Sequence, residues 1–423
     1  MLDIKFIREN QDLVKEAIRK KGVKFELDEL IAVDERRRHV LKEMEDKRAE
    51  QNKKSETKPG PEEIAKLKGL KEEIKILEEE NKHVQEDFER LMLMVPQVPD
   101  PSVPEGKDDS DNVEIRKWGP SGILGTGVNI PEFDFEPKDH IELMESLDLL
   151  DLDRGTKVSG FRGYFLKNEA ALMSNALWSF VLEKMVKKGF TPIIAPAIAR
   201  EIAFRGTGWL PQGKDEIYKV GEDQYLIGTS EVSVMAYHSD EILYEKDLPK
   251  KYIAFSPCFR SEAGSYGKDT KGIIRVHEFY KMEQIILCKA DHEESVRWHE
   301  EITKNSEEIM QELGLPYRVV ANCAGDLGLG QVKKYDIEAW MPSQQKYRET
   351  HSASYFHDFQ TRRLNIRYRD SKNELQFAHS LNNTAVATPR ILTAIVENYQ
   401  TKKGTVKVPK VLQKWMQGIK EIK

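Results

Sequence analysis

The chain has 423 residues, of which 39% are hydrophobic and 33% charged, and this composition is typical of a soluble globular protein with room for two domains. Its formal net charge of −6 excludes nucleic-acid binding through overall charge, so any such binding needs a local basic patch. The three cysteines form no CxxC pair, which argues against a disulfide framework or a cysteine zinc site. The sequence contains no run of about 18 apolar residues, so no membrane-spanning helix is predicted.

The first predicted element is a short helix over about residues 3–21, in the segment MLDIKFIRENQDLVKEAIRKKG. Charges throughout this segment leave no apolar core for a signal peptide. We therefore expect a cytoplasmic protein.

Residues 27–92 are predicted to form an antiparallel pair of long helices. In the second half, apolar residues recur at alternating steps of three and four, which is the spacing of a coiled-coil seam. The positions are Leu67, Leu70, Ile74, Leu77, Val84, Phe88 and Leu91, with Asn81 as the one polar member. The first half has a weaker stripe at Leu27, Leu30, Leu41 and Met44, and the turn KPGPEE (Lys58–Glu63) separates the helices. At about 30 residues each, the helices are about 45 Å long.

Two interpretations of this arm stay open. A solvated spacer or dimerisation arm is favoured, because a thin hairpin buries little besides its own seam. The alternative is a lever that touches a large partner, for which the clusters Arg36-Arg37-Arg38 and Lys53-Lys54 offer phosphate contacts.

The proline-rich and acidic segment Val95–Asn112 is predicted to be a linker. We place the domain boundary within it, with a helical arm at 1–105 and a second domain at 106–423. In the second domain, strands such as KYIAFSPC and helices such as RILTAIVENYQ do not alternate regularly. We therefore expect an α+β fold with a mainly antiparallel sheet flanked by helices.

The sequence FSPCFRSEAGSYGKDTKGIIRVHEFYKME is predicted to form a hairpin that carries a row of functional groups. Its strands, FSPCFR and RVHEFYKME, flank a loop that contains Gly264, Gly267 and Gly272. Since side chains alternate along a strand, Arg260 shares a face with Glu262, and Arg275 shares one with Phe279 and Glu283. Cations, an aromatic plate and an anion on one surface suit a ligand with a phosphate, a purine ring and an ammonium group. An ordinary surface hairpin with cross-strand ion pairs is the alternative.

Two other stretches carry polar groups of the same kinds. Thr229 and Glu231 are predicted to share a face at the end of the apolar strand in YLIGTSEVSV. A hydroxyl beside a carboxylate can hold an ammonium group, and the alternative is an ordinary polar strand end. Glu349 and Ser352, three residues apart, offer the oxygen ligands that Mg²⁺ prefers when it bridges substrate phosphates.

A helix is predicted to follow Thr388 as its N-cap, with Pro389 at the first helical position. Arg390 near a helix N-terminus is unfavourable for the helix dipole unless it faces an anion together with the free N–H groups. The alternative is a helix that packs in the core and carries an incidental arginine.

Together these stretches resemble a class II aminoacyl-tRNA synthetase, specifically the seryl-tRNA synthetase family, over essentially the whole chain. KGFTPIIAP resembles motif 1, the hairpin resembles motif 2, and ATPRILTAIVENYQ resembles motif 3. AGDLGLGQVKKYDIEAWMPSQQKYRE resembles the stretch between motifs 2 and 3, and the two-helix arm is also typical of the family. One short motif match is weak evidence, but four in the family's order, with the arm, are highly specific.

The resemblance implies a ligase that activates L-serine with ATP and transfers it to the 3′ end of serine tRNA. It implies contacts with the long variable arm and the acceptor end of that tRNA, a homodimer, and Mg²⁺ without zinc. It allows selenocysteine tRNA as a second acceptor. The alternatives are a synthetase paralogue that loads an amino acid onto a carrier protein and a non-catalytic RNA-binding paralogue.

Residue roles follow from the same resemblance. Serine is expected to contact Thr229, Glu231, Arg260, Glu283, Asn382 and Thr384. ATP is expected to contact Arg260, Glu262, Arg275, Val276, Phe279, Glu349, Ser352 and Arg390, with Arg260 and Arg390 catalytic and Mg²⁺ on Glu349 and Ser352. The lysines Lys268 and Lys271 are expected to meet tRNA phosphates.

Three residues depart from the family's pattern. His351 stands where the family usually has serine, and Asn383 with Thr384 replaces a Gly-Ser pair. The histidines His292 and His299, seven apart on a charged helical stretch, are expected to be solvated.

Overall fold

A computed structural model of the protein describes residues 1–55, 60–120, 130, 132–263 and 271–423. Its helices are α1 (Ile4–Glu9), α2 (Gln11–Lys20), α3 (Leu27–Ser55), α4 (Pro61–Met92), α5 (His140–Ser146), α6 (Leu152–Ser159), α7 (Asn168–Lys187), α8 (Glu201–Thr207), α9 (Ser230–Ala236), α10 (His292–Glu312), α11 (Phe359–Arg363) and α12 (Arg390–Asn398). Its strands are β1 (Val113–Trp118), β2 (Leu150–Asp151), β3 (Phe165–Leu166), β4 (Thr191–Ile194), β5 (Ile198–Arg200), β6 (Gln224–Leu226), β7 (Ile242–Tyr244), β8 (Lys250–Phe259), β9 (Glu278–Cys288), β10 (Tyr317–Ala321), β11 (Lys333–Met341), β12 (Lys346–His357), β13 (Arg367–Arg369), β14 (Leu375–Phe377), β15 (His379–Thr388), β16 (Val406–Lys407) and β17 (Glu421–Ile422).

These residues form two compact units, Met1–Val98 and Pro99–Lys423. Within the ranges given above, none of the helices has a stretch apolar and long enough to cross a bilayer.

In the first unit, α3 and α4 pack against each other along the predicted seam. The buried seam residues of α4 are Leu70, Ile74, Leu77, Val84 and Leu91. Leu77 packs on Val40 and Met44 of α3, whereas Leu91 packs with Leu27 and Leu30. Early α3 therefore meets late α4, which confirms the antiparallel pair. The helix α4 begins at Pro61 as expected, while Lys58 and Pro59 of the predicted turn lie outside the described residues.

The arginine cluster of the arm is engaged in the arm's own structure. Asp34 is fully buried, and its carboxylate lies 2.8 Å from Arg37 and 3.2 Å from Arg38. The guanidinium of Arg37 also lies 4.3 Å from the centre of the Phe88 ring, across the helix pair. Because a buried carboxylate is stable only when charges and hydrogen bonds compensate it, these contacts give Arg37 and Arg38 a structural role. The predicted N-terminal helix is divided into α1 and α2 at Asn10.

In the second unit, the main sheet has the strand order β1-β10-β11-β12-β15-β9-β8-β4. All neighbours are antiparallel except β4, which runs parallel to β8 at the sheet edge. The helices α7, α10 and α12 pack on this sheet. The mixed α+β architecture with a mainly antiparallel sheet is confirmed.

The central strand β9 is covered on both faces, which fixes its orientation. Met282 and Ile286 pack in one hydrophobic cluster and Ile285 and Leu287 in another. Because alternate residues of a strand point to opposite faces, both sets are buried only if β9 lies between two apolar layers. Shifting its register by one residue would exchange the two sets, so the polar residues at its start have fixed directions.

Candidate active site

One cavity of about 370 Å³ lies over the neighbouring strands β12, β15, β9 and β8. Every residue assigned above to ATP, to the amino acid or to the metal lines it. These are Thr229, Glu231, Arg260, Glu262, Arg275, Val276, Phe279, Glu283, Glu349, Ser352, Asn382, Thr384 and Arg390. The structure thus brings together side chains that are far apart in the sequence, from Thr229 to Arg390, a separation of about 160 residues.

Arg260 follows β8 directly and contacts two aromatic rings. Its side chain donates hydrogen bonds to the Gly228 carbonyl at 3.2 and 3.3 Å. Its guanidinium carbon lies 5.4 Å from the centre of the Phe279 ring and 5.6 Å from that of Trp209. Cation–π contact and hydrogen bonding together fix the charged group before any ligand arrives.

The hairpin strands stop short of the loop compared with the prediction, because β8 ends at Phe259 and β9 begins at Glu278. Glu262 and Arg275 therefore lie beyond the ladder, and Glu262 has a left-handed backbone with φ of 56°. Arg275 donates a hydrogen bond of 3.2 Å to the Glu262 carboxylate. An anion bound by Arg275 would compete with this ion pair. The loop residues Gly264, Gly267 and Lys268 lie outside the described residues, whereas Lys271 is exposed.

Arg390 closes the opposite side of the cavity. It is the first residue of α12, and its Nε donates to the Ile274 carbonyl at 3.0 Å while Nη1 donates to the Glu349 carbonyl at 3.1 Å. The predicted cap was wrong by one residue: Pro389 is the N-cap, and Thr388 ends β15 with its hydroxyl 3.3 Å from the Tyr280 carbonyl. Arg390 nevertheless lies at the helix start, where free N–H groups and its own charge both favour an anion.

A β-bulge places Glu349 and Ser352 on the same side of β12. Residues three apart on a regular strand point to opposite faces. Here the pairing passes from Ile337–His351 to Glu338–Glu349, so Thr350 has no partner in the ladder and both side chains line the cavity. The Glu349 side chain is 44% exposed, and its carboxylate lies 3.5 Å from Arg390. Partial desolvation raises the pKa of this carboxyl, but Arg390 and the other nearby cations outweigh it, so the pKa is lowered overall.

Two carboxylates, Glu231 and Glu283, occupy the deep end of the cavity. The prediction that Glu231 lies at the end of a strand was wrong, because Glu231 is in the first turn of α9. Thr229 is the N-cap of this helix, and its hydroxyl accepts a hydrogen bond from the Glu231 N–H at 3.3 Å. Glu283 on β9 lies opposite Thr384 on β15, whose hydroxyl is 3.4 Å from its carboxylate. Lys281 lies 2.5 Å from the same carboxylate.

Burial raises the pKa values of both carboxyl groups. For Glu231 the pKa is raised to about 7, chiefly by desolvation and then by the charge of Glu283, against the hydrogen bond from Gln360. For Glu283 desolvation again raises the pKa, against Lys281 and Arg260. Two acids that are costly to ionise next to each other favour a cationic ligand between or beside them.

The departures from the family's pattern lie mostly outside the cavity. His351 is buried; its ring contacts the Thr350 hydroxyl at 2.8 Å and the Ala385 carbonyl at 3.2 Å. Burial lowers its pKa to about 4, so the ring is neutral near pH 7. The Asn383 amide donates to the Ile302 carbonyl and Ser306 on the far side of the sheet. Only Thr384 faces the cavity.

Several cavity residues have no counterpart in the sequence reasoning. These are Trp209, Lys281, Gln331, Lys334, Ser354 and Phe356. The KME run could have drawn attention to Lys281, since it lies two residues before Glu283 and alternation places both on one face. Trp209 comes from a segment without a motif, whereas Gln331 and Lys334 lie in the stretch that resembles the family between motifs 2 and 3 and were not singled out there.

The expectation for the histidines of α10 was half wrong. His292 is exposed, but His299 is buried, contacts the Ala353 carbonyl at 3.0 Å and has a pKa lowered to about 4 by burial. Among the residues with described positions, no three His, Cys, Asp or Glu side chains are arranged to hold a metal ion.

Family models match two regions of the chain, one in each compact unit. The model described as the seryl-tRNA synthetase N-terminal domain matches residues 1–99, and that of the tRNA synthetase class II core domain (G, H, P, S and T) matches residues 216–399. A serine–tRNA ligase of Deinococcus radiodurans is 44% identical over 99% of this chain and 98% of its own length.

Solved structures agree with these sequence matches. A seryl-tRNA synthetase from Pyrococcus horikoshii complexed with ATP superimposes with a TM-score of 0.92 at 44% identity, covering 100% of this chain and 99% of the other. A cytoplasmic serine–tRNA ligase from Naegleria fowleri in complex with AMP superimposes with a TM-score of 0.87 at 35% identity, covering 100% of this chain and 99% of the other.

Proposed function

The chain belongs to the seryl-tRNA synthetase family of class II, and on this premise we propose how its cavity performs the reaction. Its activity is that of a serine–tRNA ligase, which activates L-serine with ATP to seryl-adenylate and transfers serine to tRNA. The match of residues 1–99 to the family's N-terminal domain, together with near-complete coverage of the relatives, favours this activity over a carrier-loading or non-catalytic paralogue. Selenocysteine tRNA as a second acceptor stays a proposal.

One observation carries the assignment of substrates to the cavity: two acids with raised pKa values lie together, and two arginines lie away from them. The deep end holds Glu231 and Glu283, with Lys281 on Glu283, and the other end holds Arg275 and Arg390, each beside a carboxylate, with Phe279 on the wall. An ammonium group fits the first end and phosphates fit the second. We therefore place the amino group of serine at the carboxylates, and the triphosphate at the arginines.

At the serine end, Glu231 and Glu283 bind the ammonium group, and Thr229 supports Glu231 as its helix cap. The serine hydroxyl contacts Thr384 and Asn382, both buried on β15. Alanine would leave these polar groups without a partner, which is a strong basis for rejecting a substrate that lacks the hydroxyl.

At the nucleotide end, Phe279 stacks on adenine and Arg390 covers its other side while contacting the γ-phosphate. Arg275 leaves Glu262 to contact the triphosphate, and Glu262 and Val276 border the base. Arg260 lies beside Phe279, at the junction of the two ends, where it contacts both the serine carboxylate and the α-phosphate.

Activation requires no catalytic base in this arrangement. The serine carboxylate is ionised at neutral pH and attacks the α-phosphorus directly, with pyrophosphate as the leaving group. The side chains of Arg260 and Arg390 hold the reactants in line and stabilise the negative charge that develops on the phosphoryl oxygens. Both are positioned by hydrogen bonds to backbone carbonyls before the substrates bind.

The donor set of the cavity fits a magnesium ion carried by the nucleotide. Glu349 and Ser352 supply two hard oxygen donors on the same side of β12, and the accessible Glu349 carboxylate has a lowered pKa. Two protein ligands are typical of Mg²⁺ that completes its shell with phosphate oxygens and water. When bound, the ion supplies charge neutralisation at the leaving phosphates.

Acidification is expected to weaken L-serine binding about tenfold between pH 8 and pH 6. The pKa of Glu231 without substrate is about 7, and only the ionised form pairs with an ammonium group, so affinity falls as pH drops through this value. The measurement is the KM for serine in ATP–pyrophosphate exchange as a function of pH. The KM for ATP serves as the control, and a flat serine profile over this range would contradict the role of Glu231.

We propose that residues 1–105 form a tRNA-binding arm and residues 106–423 the catalytic domain. The arm contacts the long variable arm of serine tRNA, because recognition of shape and backbone suits an RNA helix whose deep groove hides its bases. The exposed Lys271 meets the acceptor end near the cavity, and Lys268 is assigned the same role.

A homodimer is proposed from an exposed apolar surface beside β4. This edge strand carries Ile194, which is 85% exposed, next to a depression lined by Trp178, Leu182, Ile193 and Phe255. A second copy that packs on this surface would cover both the apolar side chains and the strand edge. The variant Ile194→Asp is expected to be monomeric by native mass spectrometry, whereas Val220→Asp, another exposed aliphatic position, keeps the dimer. A native protein that is itself monomeric would contradict the proposal.

The assignment is tested by ATP–pyrophosphate exchange with each of the twenty amino acids. Serine is expected to support exchange, and alanine and threonine are expected to support at most about 1% of the serine rate at equal concentration. Exchange that is equally fast with alanine would remove the proposed contact of the serine hydroxyl with Thr384 and Asn382.

A further inference from the structure

Gln360 lies behind the serine end of the cavity. It belongs to α11, is 1% exposed and is absent from the cavity lining. Its Nε2 donates to the Glu231 carboxylate at 2.5 Å, and its Oε1 accepts from the Ser380 hydroxyl at 2.7 Å. Since Ser380 is also 1% exposed, this chain of hydrogen bonds is sealed from solvent. The two contacts fix the amide orientation, because the carboxylate requires the NH₂ side and the hydroxyl occupies the oxygen.

Glu231 differs from the other acids of the cavity in the charge of its neighbours. Glu262 is paired with Arg275, and Glu349 with Arg390. The side chains that hydrogen-bond to the Glu231 carboxylate are the neutral amides of Gln360 and Asn382, and the charged groups that act on it are Glu283 and Lys281 of β9. The cations at this end act on Glu283, which pairs with Lys281 and also feels the charge of Arg260, whereas the hydrogen bonds to the Glu231 side chain come from neutral amides.

We propose that Gln360 is the positioning residue for Glu231, a neutral donor that turns its carboxylate to the substrate without supplying a competing positive charge. The inference rests on the proposed binding of the serine ammonium group by Glu231. A lysine or arginine in the place of Gln360 would neutralise the carboxylate and remove the attraction for the substrate. An apolar residue would leave the carboxylate with the Asn382 side chain as its remaining side-chain donor, which favours its protonated form.

The test is the variant Gln360→Met, which keeps the length of the side chain and removes the donor. The KM for serine in the exchange reaction is expected to rise about ten- to a hundredfold at pH 7, since a hydrogen bond to a charged group is lost. The values of kcat and of the KM for ATP are expected to stay within about twofold, because the loss affects binding of the amino acid alone.

The pH profile separates positioning from a general structural effect. Without the amide donor, the pKa of Glu231 rises further, so the acid limb of kcat/KM for serine is expected to move up by about one to two pH units. At pH 9 the serine KM of the variant should therefore approach that of the native protein. A KM raised by the same factor at pH 6.5 and pH 9, or left unchanged at both, would overturn the inference.

Two further variants guard against misfolding. Thr361 lies on α11 next to Gln360, and its hydroxyl donates a buried hydrogen bond to the Ala378 carbonyl. The variant Thr361→Val removes this hydrogen bond and is expected to leave the serine KM and its pH profile unchanged. Ser380→Ala removes only the hydroxyl that holds the amide and is expected to raise the serine KM several-fold in the same pH-dependent way. If Gln360→Met fails to fold, this variant decides the question alone.

Glu231→Gln separates the inference from the proposed function. If Glu231→Gln leaves the serine KM unchanged, Glu231 does not bind the ammonium group, and both the proposed ammonium site and the role of Gln360 are wrong. If it raises the serine KM while Gln360→Met and Ser380→Ala do not, the ammonium site stands and the inference about Gln360 fails.

Discussion

Replacement of Arg260 by alanine is expected to lower serine-dependent ATP–pyrophosphate exchange by about a hundred- to a thousandfold, or roughly 3–4 kcal/mol of transition-state stabilisation. Arg260 is the cation at the junction of the two charged ends, held by the Gly228 carbonyl and by the rings of Phe279 and Trp209. Such a fixed charge needs no reorganisation when the phosphoryl group becomes more negative. The loss should appear mainly in kcat, with a smaller rise in the KM for serine, whose carboxylate contacts the same group.

Two variants sharpen this result. Arg260→Lys keeps the charge but loses the planar fork and the stacking, so it should recover only part of the rate. Arg200→Ala removes an exposed arginine that is the N-cap residue of α8 and pairs with Asp223. This variant should catalyse ATP–pyrophosphate exchange at the native rate. Full exchange by Arg260→Ala would refute the assigned role.

Shortening the arm is expected to spare exchange and to lower tRNA charging by about a hundredfold or more, because phosphate contacts of the arm are lost. The deletion of residues 45–76, with Met44 joined to Leu77 through a short glycine–serine linker, removes the distal half of α3 and α4. It retains the contact of Val40 and Met44 with Leu77 and the packing of Leu27 and Leu30 on Leu91. The remaining base of the arm therefore keeps its own core.

Exchange on the same variant is the control for folding of the catalytic domain and should remain within about twofold of the native rate, since each compact unit has its own internal packing. The rate at which the shortened protein charges serine tRNA is then compared with its rate of ATP–pyrophosphate exchange. Normal charging by the shortened protein would end the proposal that the arm binds tRNA and would return it to the spacer or dimerisation arm first favoured by its sequence.

The seam of α4 could be predicted from the sequence because a heptad is a local pattern. The apolar stripe of α3 is weak because two of its heptad positions hold charged residues. The heptad from Leu30 to Leu41 passes through Asp34 and Arg37, which fill the two seam positions as an ion pair at 2.8 Å. Scoring only apolar residues missed this pair, although the spacing is regular.

The type of element at the serine end was misjudged because a short apolar run is ambiguous. The strand β6 ends at Leu226, and Thr229 caps a helix that begins at Ser230. Threonine is a favoured N-cap and acidic residues are enriched in the first turn of a helix, and giving these preferences more weight than the apolar run would have placed Glu231 in a first turn.

Other features need the partner strands and could not be read from one segment. The bulge at Thr350 exists only in the register of β12 against β11, and it alone puts Glu349 beside Ser352. Gln360 and Trp209 carry no motif and reach the site through packing. His299 was misread because the charged residues of α10 drew attention away from its apolar stripe, in which Ser295, Trp298, His299 and Ile302 follow helical spacing.

The most direct test of the central claim is a crystal structure with a non-hydrolysable seryl-adenylate analogue. The account predicts one molecule in the cavity, with its ammonium group between Glu231 and Glu283, its phosphate substitute at Arg260 and its adenine on Phe279. An analogue bound in the reverse direction, or a cavity left empty while the analogue inhibits exchange, would contradict the account.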